Sequence, residues 1–259
     1  MSEIVMPLPE LTGAEYFDVR VALAALAASE GIAFPPFELM HWGGLTFCLN
    51  MQRDPIQNAL RRGEFFEAEE LEALKAEVPE GAVVLDIGAN IGNHALFFAT
   101  RMKAAKVVVI EPNPLALAPL VGNIVVNGLS DVIDMGYLGV GLSDRNAGGF
   151  GMKRHDRNLG ATKMKPGQGE LEVRRGDDLF EDLTPNLIKI DVEGMEMGVL
   201  GGLADTIERA RPLILIEVDD ENAGAFAAWC EAAGYVTART DCHGKKNQNH
   251  LIQPKERAK

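Results

Sequence analysis

The sequence predicts an α/β fold: a mostly parallel sheet of seven strands with helices on both faces. Two observations lead to it. Apolar runs without polar alternation recur along the second two-thirds of the chain, the pattern of strands buried on both faces. Between them lie stretches with helical spacing of apolar residues. The first of these junctions, Val83-Val84-Leu85-Asp86-Ile87-Gly88-Ala89-Asn90-Ile91-Gly92-Asn93-His94, runs from strand through a glycine turn into a helix. That is how nucleotide-binding α/β folds present a backbone to a ligand.

Strands are expected at 83–88, 107–111, 132–142, 187–192, 213–218 and 235–240, with a seventh at 249–253. Helices are expected at 93–103, 115–127, 196–209 and 223–233, the second stopped by Asn127-Gly128 in a left-handed turn. About 44 residues separate the third and fourth strands, and loops that long usually serve function. Strand-like patches at Gly149–Lys153 and Leu171–Arg175 suggest an inserted hairpin over the mouth of the site.

Residues 1–80 read as a cap rather than an independent domain, and 81–259 as the main domain. Ala14 to Ser29 reads as an alanine-rich helix ended by Gly31 and Pro35-Pro36. His41 to Leu49 has hairpin character with Gly43-Gly44 at the turn. Asp54 to Glu77 suggests two short amphipathic helices broken at Gly63.

The glycine pattern narrows the ligand. A dinucleotide loop needs G-x-G-x-x-G to close on a pyrophosphate, whereas here the run is D-x-G-x-N-x-G, from Asp86 through Gly88 and Asn90 to Gly92. The second strand ends in Glu111, 23 residues after Gly88, where a carboxylate can accept both hydroxyls of a ribose. Ribose recognition without a phosphate cradle fits S-adenosylmethionine. The cofactor-binding set is then Asp86, Gly88, Asn90, Gly92, Glu111, Asn113, Leu142, Ser143 and Asp191. Glu111 would hold the ribose, the 86–92 turn the methionine part, and Leu142-Ser143 the adenine edge. A nicotinamide-dependent oxidoreductase is the rival enzyme reading, and a non-catalytic binding module the rival of another class.

Leu187-Ile188-Lys189-Ile190-Asp191-Val192-Glu193-Gly194-Met195-Glu196 holds the candidate catalytic residues Asp191, Glu193 and Lys189. Lys189 interrupts an apolar strand, where a lysine must be paired or shift its pKa, so a pair with a carboxylate is expected. Asp191, at the strand tip, is placed to take or orient the proton of an attacking hydroxyl. No Asn/Asp/Ser-Pro-Pro-aromatic run follows this strand, which argues against a nucleobase amine as acceptor. Lys153, Arg154, Arg157, Lys163, Lys165, Arg174 and Arg175 concentrate in the insertion and would suit an anionic acceptor such as a carboxylated or phosphorylated glycan. Asp191 with Asp219, Asp220 and Asn222 would suit a hard cation that assists the transfer. Asp241-Cys242-His243 with His250 has metal-ligand residue types without standard spacing, and no metal is assigned.

Composition sets bounds. A net charge of −13 argues against a general duplex nucleic-acid surface. Three cysteines, Cys48, Cys230 and Cys242, give no disulfide framework, and the start lacks a signal-peptide pattern. The cytoplasm and the absence of a membrane span are the expectation.

The motifs together resemble the FkbM-type S-adenosylmethionine-dependent methyltransferases. The resemblance is carried from about Asp54 onward by Gly63-Glu64-Phe65-Phe66-Glu67, Val84 to Gly92, Ile110-Glu111-Pro112-Asn113-Pro114, Gly141-Leu142-Ser143-Asp144, Asn158-Leu159-Gly160 and Leu187 to Glu196. It implies a class I methyltransferase sheet with a reversed last strand, and an acceptor that is usually a hydroxyl of a sugar or natural product. Residues 1–50 fall outside it.

Overall fold

The structure, a computed structural model, describes residues 17–153, 158–241 and 247–258. The central sheet comprises β3 (Val83–Ile87), β4 (Lys106–Ile110), β5 (Ile133–Asp134), β10 (Leu187–Ile190), β11 (Leu213–Asp219), β12 (Tyr235–Asp241) and β13 (Asn247–Pro254). Its spatial order is β12-β13-β11-β10-β3-β4-β5. The pairs from β5 to β11 are parallel, and β13 runs antiparallel between β11 and β12. The expected reversed last strand is therefore present, seated inside the sheet with the parallel β12 outside it. Chain order reverses between β3 and β10, so their carboxyl ends open a crevice at a topological switch point.

Apolar residues alternate between two cores. Val84, Val107, Val109, Leu187 and Leu215 face one cluster with Leu96, Phe97, Leu120 and Val121, from the helices Asn93–Thr100 and Pro114–Val126. Leu85, Ile87, Val108, Ile188 and Ile216 face the other with Val199, Leu200, Ile207 and Phe226, from Glu196–Gly202, Ala204–Ala210 and Ala223–Ala233. Both faces of the sheet are thus covered, which is why its strands read as unbroken apolar runs.

The N-terminal elements are Val19–Ala27, the hairpin β1 (Glu38–Trp42) and β2 (Leu45–Leu49), and the helices Pro55–Arg61 and Ala68–Glu77. Gly43 and Gly44 both have positive φ (57° and 79°), as a two-residue hairpin turn requires. Trp42, Phe47, Phe65 and Phe97 form a chain of ring contacts that joins the hairpin to the main fold. Asn123 seals the junction: its Oδ1 accepts Cys48 N at 2.5 Å and its Nδ2 donates to Ile91 O at 2.7 Å. Residues 14–16 of the expected first helix lie outside the described residues, as do the start of the chain, Arg154, Arg157, Cys242 and His243.

Three expectations are corrected. The strand read at 132–142 divides. Ile133–Asp134 joins the central sheet, whereas β6 (Val140–Ser143) enters a second sheet, because Asp134 Oδ1 accepts Gly136 N at 3.0 Å and Gly139 takes φ 86°. The inserted hairpin is larger than read: β7 (Ala147–Lys153) pairs with both β8 (Lys163–Pro166) and β9 (Leu171–Arg175), giving the order β6-β9-β7-β8. The helix read at 196–209 breaks at Leu203. Gly202 there lies so close to the Ser143 carbonyl that a Cβ would collide with it.

Candidate active site

Glycine is needed first where β3 ends. Gly88 has φ 80°, and a Cβ on it would collide with the Asp191 carbonyl. Three strand ends are locked together: Asp191 N after β10 donates to Ile87 O of β3 at 3.0 Å, and Gly88 N after β3 to Ile110 O of β4 at 2.9 Å. Asn90 (φ 50°) and Gly92 (φ 89°) continue the left-handed turn, and Gly92 precedes the first turn of the helix Asn93–Thr100.

Glu111 organises the opposite wall. It is 6% exposed, and its two carboxylate oxygens accept Asn90 N and Asn113 N, each at 2.7 Å. Burial pushes its carboxyl up to about 7, against the lowering effect of those two amides. Each oxygen keeps lone-pair capacity toward the crevice. Asn113 in turn caps the helix Pro114–Val126, its Oδ1 accepting Leu115 N at 3.1 Å.

The crevice holds about 560 Å³ of empty space, including its open mouth. One side is Ile87, Gly88 and Asn90, another Ile110 to Asn113, a third Gly141 and Leu142, and the tip of β10 contributes Asp191, Val192 and Glu193. The insertion closes it with Met152, Leu159, Gly160, Thr162 and Met164. Of these, Leu159-Gly160 had a motif signal, within Asn158-Leu159-Gly160, and Met152 falls in the strand-like patch Gly149–Lys153. Asp54 explains the placement of Leu159-Gly160. Fully buried, it caps the helix Pro55–Arg61 through Gln57 N at 3.0 Å, and its second oxygen accepts Leu159 N at 2.8 Å.

Three residues expected at the cofactor stand behind the wall. Asp86 is fully buried beside Lys189, Gly92 packs against Leu120 and Leu96, and Ser143 Oγ lies 3.2 Å from Asp144 Oδ1. Neither Asp86 oxygen has a hydrogen bond, nor does Asn90 Oδ1, although all three are buried. Asn90 lines the crevice, so its oxygen favours a ligand that supplies a donor, whereas Asp86 Oδ1 faces the Lys189 ammonium at 3.4 Å.

Lys189 pairs with carboxylates as the strand pattern requires. Its Nζ donates to Gly88 O at 2.7 Å and lies 3.4 Å from Asp86 Oδ1 and 3.6 Å from Asp191 Oδ2. Burial works against its charge, but Asp86 and Asp191 outweigh it and hold the ammonium protonated well above the usual lysine range.

Asp191, Glu193 and Glu217 offer carboxylate oxygens within 4.8 Å of one another. Burial, then the neighbouring Asp191 charge, raises Glu193 to about 7 and Glu217 to about 8. Asp191 is raised too, by burial first, with Lys189 opposing. The set Asp191, Asp219, Asp220 and Asn222 does not assemble in this way: Asp219 Oδ2 accepts Lys163 Nζ at 2.7 Å, and Asn222 Nδ2 donates to Glu196 Oε2 at 2.7 Å.

Sequence reasoning assigned no role to Glu67 and His94, although both stand inside quoted motifs. Glu67 Oε2 lies 3.1 Å from His94 Nε2, and both residues act electrostatically on Asp191. Several cations of the insertion are engaged by acids: Lys163 by Asp219, Arg174 by Glu172, and Arg175 by Asp177, Asp178 and Asp205.

Comparison with known proteins places this geometry. The methyltransferase FkbM domain model matches residues 86–237. The hexuronic acid methyltransferase AglP of Haloferax volcanii is 30% identical over 162 residues, covering 59% of this chain and 62% of AglP. The antimetabolite synthetase AmbE of Pseudomonas aeruginosa is 26% identical over 223 residues, 70% of this chain but 10% of AmbE. The chain thus spans less than two thirds of either relative. The methyltransferase FkbM of Methylobacillus flagellatus KT, a solved structure, is 19% identical with a TM-score of 0.48, covering 69% of this chain and 50% of its own. With its domain match extending from Asp86, before the glycine turn, into β12, the chain belongs to the FkbM methyltransferase family.

Proposed function

We propose that the protein transfers the methyl group of S-adenosylmethionine to a hydroxyl of a sugar, glycan or natural product. The observation that carries the reading is the close approach of Gly88 to the Asp191 carbonyl, which puts a bare backbone turn and a carboxylate at one switch-point crevice. The family implies the cofactor, and the unpartnered buried oxygen of Asn90 in the crevice wall fits a ligand that supplies a donor. When bound, that cofactor supplies an electrophilic methyl on a sulfonium.

The chain's own residues do the rest. Glu111 holds the ribose, the turn from Gly88 to Gly92 faces the methionine part, and Leu142 packs on the adenine. Lys189 fixes Asp86 and Asp191, and Asp191 receives or orients the acceptor's proton, with Glu193 beside it. Alignment of the acceptor with the methyl is the main catalytic contribution. Residues 17–80 serve as a cap on this domain, supported by the aromatic contacts of Trp42 and Phe65 with the core. Cys48 and Cys230 are free and buried, which supports a reducing compartment such as the cytoplasm. No helix among the described residues is long and apolar enough to cross a membrane.

Calorimetric titration with S-adenosylhomocysteine and with NAD, followed by a labelled-methyl screen of sugar and phenol acceptors, tests the reading. Binding of S-adenosylhomocysteine alone and turnover of a hydroxyl acceptor are expected. Binding of NAD alone, or binding without turnover across the screen, overturns it.

A further inference from the structure

The turn at residues 159–162 supplies three of the five insertion residues that line the crevice: Leu159, Gly160 and Thr162. It closes on itself, since Thr162 N donates to Leu159 O at 3.3 Å and Ala161 N to Asn158 Oδ1 at 3.2 Å. Leu159 is also gripped from outside the insertion at both of its backbone polar atoms. Its N donates to Asp54 Oδ2 at 2.8 Å, and its O accepts Asn113 Nδ2 at 3.5 Å.

The two grips come from different parts of the fold. Asp54 belongs to the cap, whereas Asn113 follows β4, where its N donates to Glu111 Oε1 at 2.7 Å. A run of hydrogen bonds thus leads from the cap through Leu159 and Asn113 to Glu111. Gly160 fits the space beside it: a Cβ there would stand 3.4 Å from Asn90 Nδ2 and 4.0 Å from Ile56 Cδ1. The Leu159 side chain is buried in the same core cluster against which Ile56 packs.

Capping alone does not account for Asp54. A helix cap needs one acceptor, and a serine or threonine supplies it without burying a charge. Asp54 is fully buried, and one oxygen, on Gln57 N at 3.0 Å, completes the cap. The other serves only the insertion.

We propose that Asp54 is a positioning residue for methyl transfer: from the cap it holds the 159–162 turn against Asn113 as the wall that closes over the cofactor. Asp54 is not among the lining residues of the crevice, so it acts through Leu159. The inference rests on the S-adenosylmethionine reading of the crevice and gives the cap a part in it. Without this grip, Leu159 withdraws cover from the cofactor and releases Asn113 beside Glu111.

Two variants isolate the grip. Asp54→Ser keeps an acceptor for Gln57 N but has no second oxygen for Leu159. Asn113→Ser keeps the cap on Leu115 N and loses the Nδ2 donor. Calorimetric titration of the full chain with S-adenosylhomocysteine reads both singles and the double. Each single should weaken binding about ten-fold, and the double by much less than the product, because both act on one turn. Hydrogen exchange adds a signature that a mere helix cap would not move. S-adenosylhomocysteine should slow exchange at 158–162 in the unaltered chain, and that slowing should vanish in Asp54→Ser while β3 and β10 stay protected. If the serine variant does not fold, Asp54→Asn, which keeps the volume and one acceptor oxygen, takes its place. Unchanged affinity, unchanged ligand protection at 158–162, losses that multiply in the double, or unfolding of both Asp54 variants overturns the positioning role. Failure of the unaltered chain to bind S-adenosylhomocysteine would instead overturn the methyltransferase reading.

Discussion

Lys189 and Asp86 are direct register partners on the adjacent parallel strands β10 and β3, and their side chains meet at 3.4 Å with almost no exposure to water. A cation in the middle of an apolar strand is therefore explained by an anion in the middle of its neighbour. Removing one partner strands the other charge in the core. Lys189→Met should cost about 3–5 kcal/mol of stability, measured by urea unfolding. The double variant Lys189→Met/Asp86→Leu should recover much of that loss while still failing to bind cofactor well, because Gly88 O loses its Lys189 donor in both.

Glu111 carries the second prediction. Its oxygens already shape the turn by accepting Asn90 N and Asn113 N, so the ribose would meet a preorganised acceptor. Glu111→Ala should weaken S-adenosylhomocysteine binding roughly 10–100-fold, as expected for lost hydrogen bonds to a charged group. Unchanged affinity in calorimetry would remove the ribose assignment.

The glycine turn, the acid after β4 and the buried lysine were legible because each leaves a local sign: positive-φ positions filled by glycine, a carboxylate ending an apolar run, a charge interrupting one. The central sheet was legible for the same reason, from strand runs buried on both faces. What escaped depends on distant contacts. Asp54 looks like an ordinary helix cap until its second oxygen is seen to hold Leu159, 105 positions away. Glu67 and His94 lie 27 residues apart and meet only through the Phe66–Asn93 clasp. The break at Leu203 follows from Gly202 packing on the Ser143 carbonyl, and helical periodicity carries no trace of it.

Acidity should destabilise the free protein less than alkalinity does near neutrality. Glu111 and Glu193 titrate at about 7 and Glu217 at about 8, chiefly because burial penalises their charged forms. Their folded-state values lie above the ordinary 4.5, so the stability they contribute is complete below that value and is lost as pH rises through 7–8. The melting temperature should fall between about pH 4.5 and 8 and level off above, by about 2–4 °C for each kcal/mol lost. Glu217→Gln should flatten the profile in scanning fluorimetry; a melting temperature rising over that interval would contradict the assignment.

Lys163 ties the insertion to the sheet, its Nζ 2.7 Å from Asp219 Oδ2 and 4.0 Å from Glu193 Oε2. Its neighbour Met164 lines the crevice, so loosening the pair should loosen the wall. The pair is partly exposed and worth about 0.2–1 kcal/mol. Lys163→Met should therefore raise the KM for cofactor by a few-fold with little change in kcat. Because Lys163 and Lys189 already face the carboxylates of Asp219, Glu193, Asp86 and Asp191, turnover in EDTA should match turnover without it. Loss of activity restored by magnesium would show that a cation shares the Asp191, Glu193 and Glu217 cluster.

Asp191 is the residue on which the chemistry should depend most. Its amide is fixed to Ile87 O and its carbonyl sits against Gly88, so the side chain is delivered to the crevice by two strands at once. An alcohol has a pKa far above 7, and a carboxylate that takes or orients its proton as the carbon–oxygen bond forms contributes roughly 10²–10⁴ in rate. Burial raises the Asp191 carboxyl, which strengthens it as a base, and Lys189 at 3.6 Å opposes that rise. Asp191→Asn preserves shape and removes the charge. If the carboxylate serves the acceptor, kcat should drop by that factor with calorimetric affinity for S-adenosylhomocysteine nearly unchanged. If it holds the cofactor's amine, affinity should fall first and saturating cofactor should restore most of the rate. Measuring both quantities on the one variant separates the two roles, and an asparagine enzyme with full kcat and full affinity would exclude both.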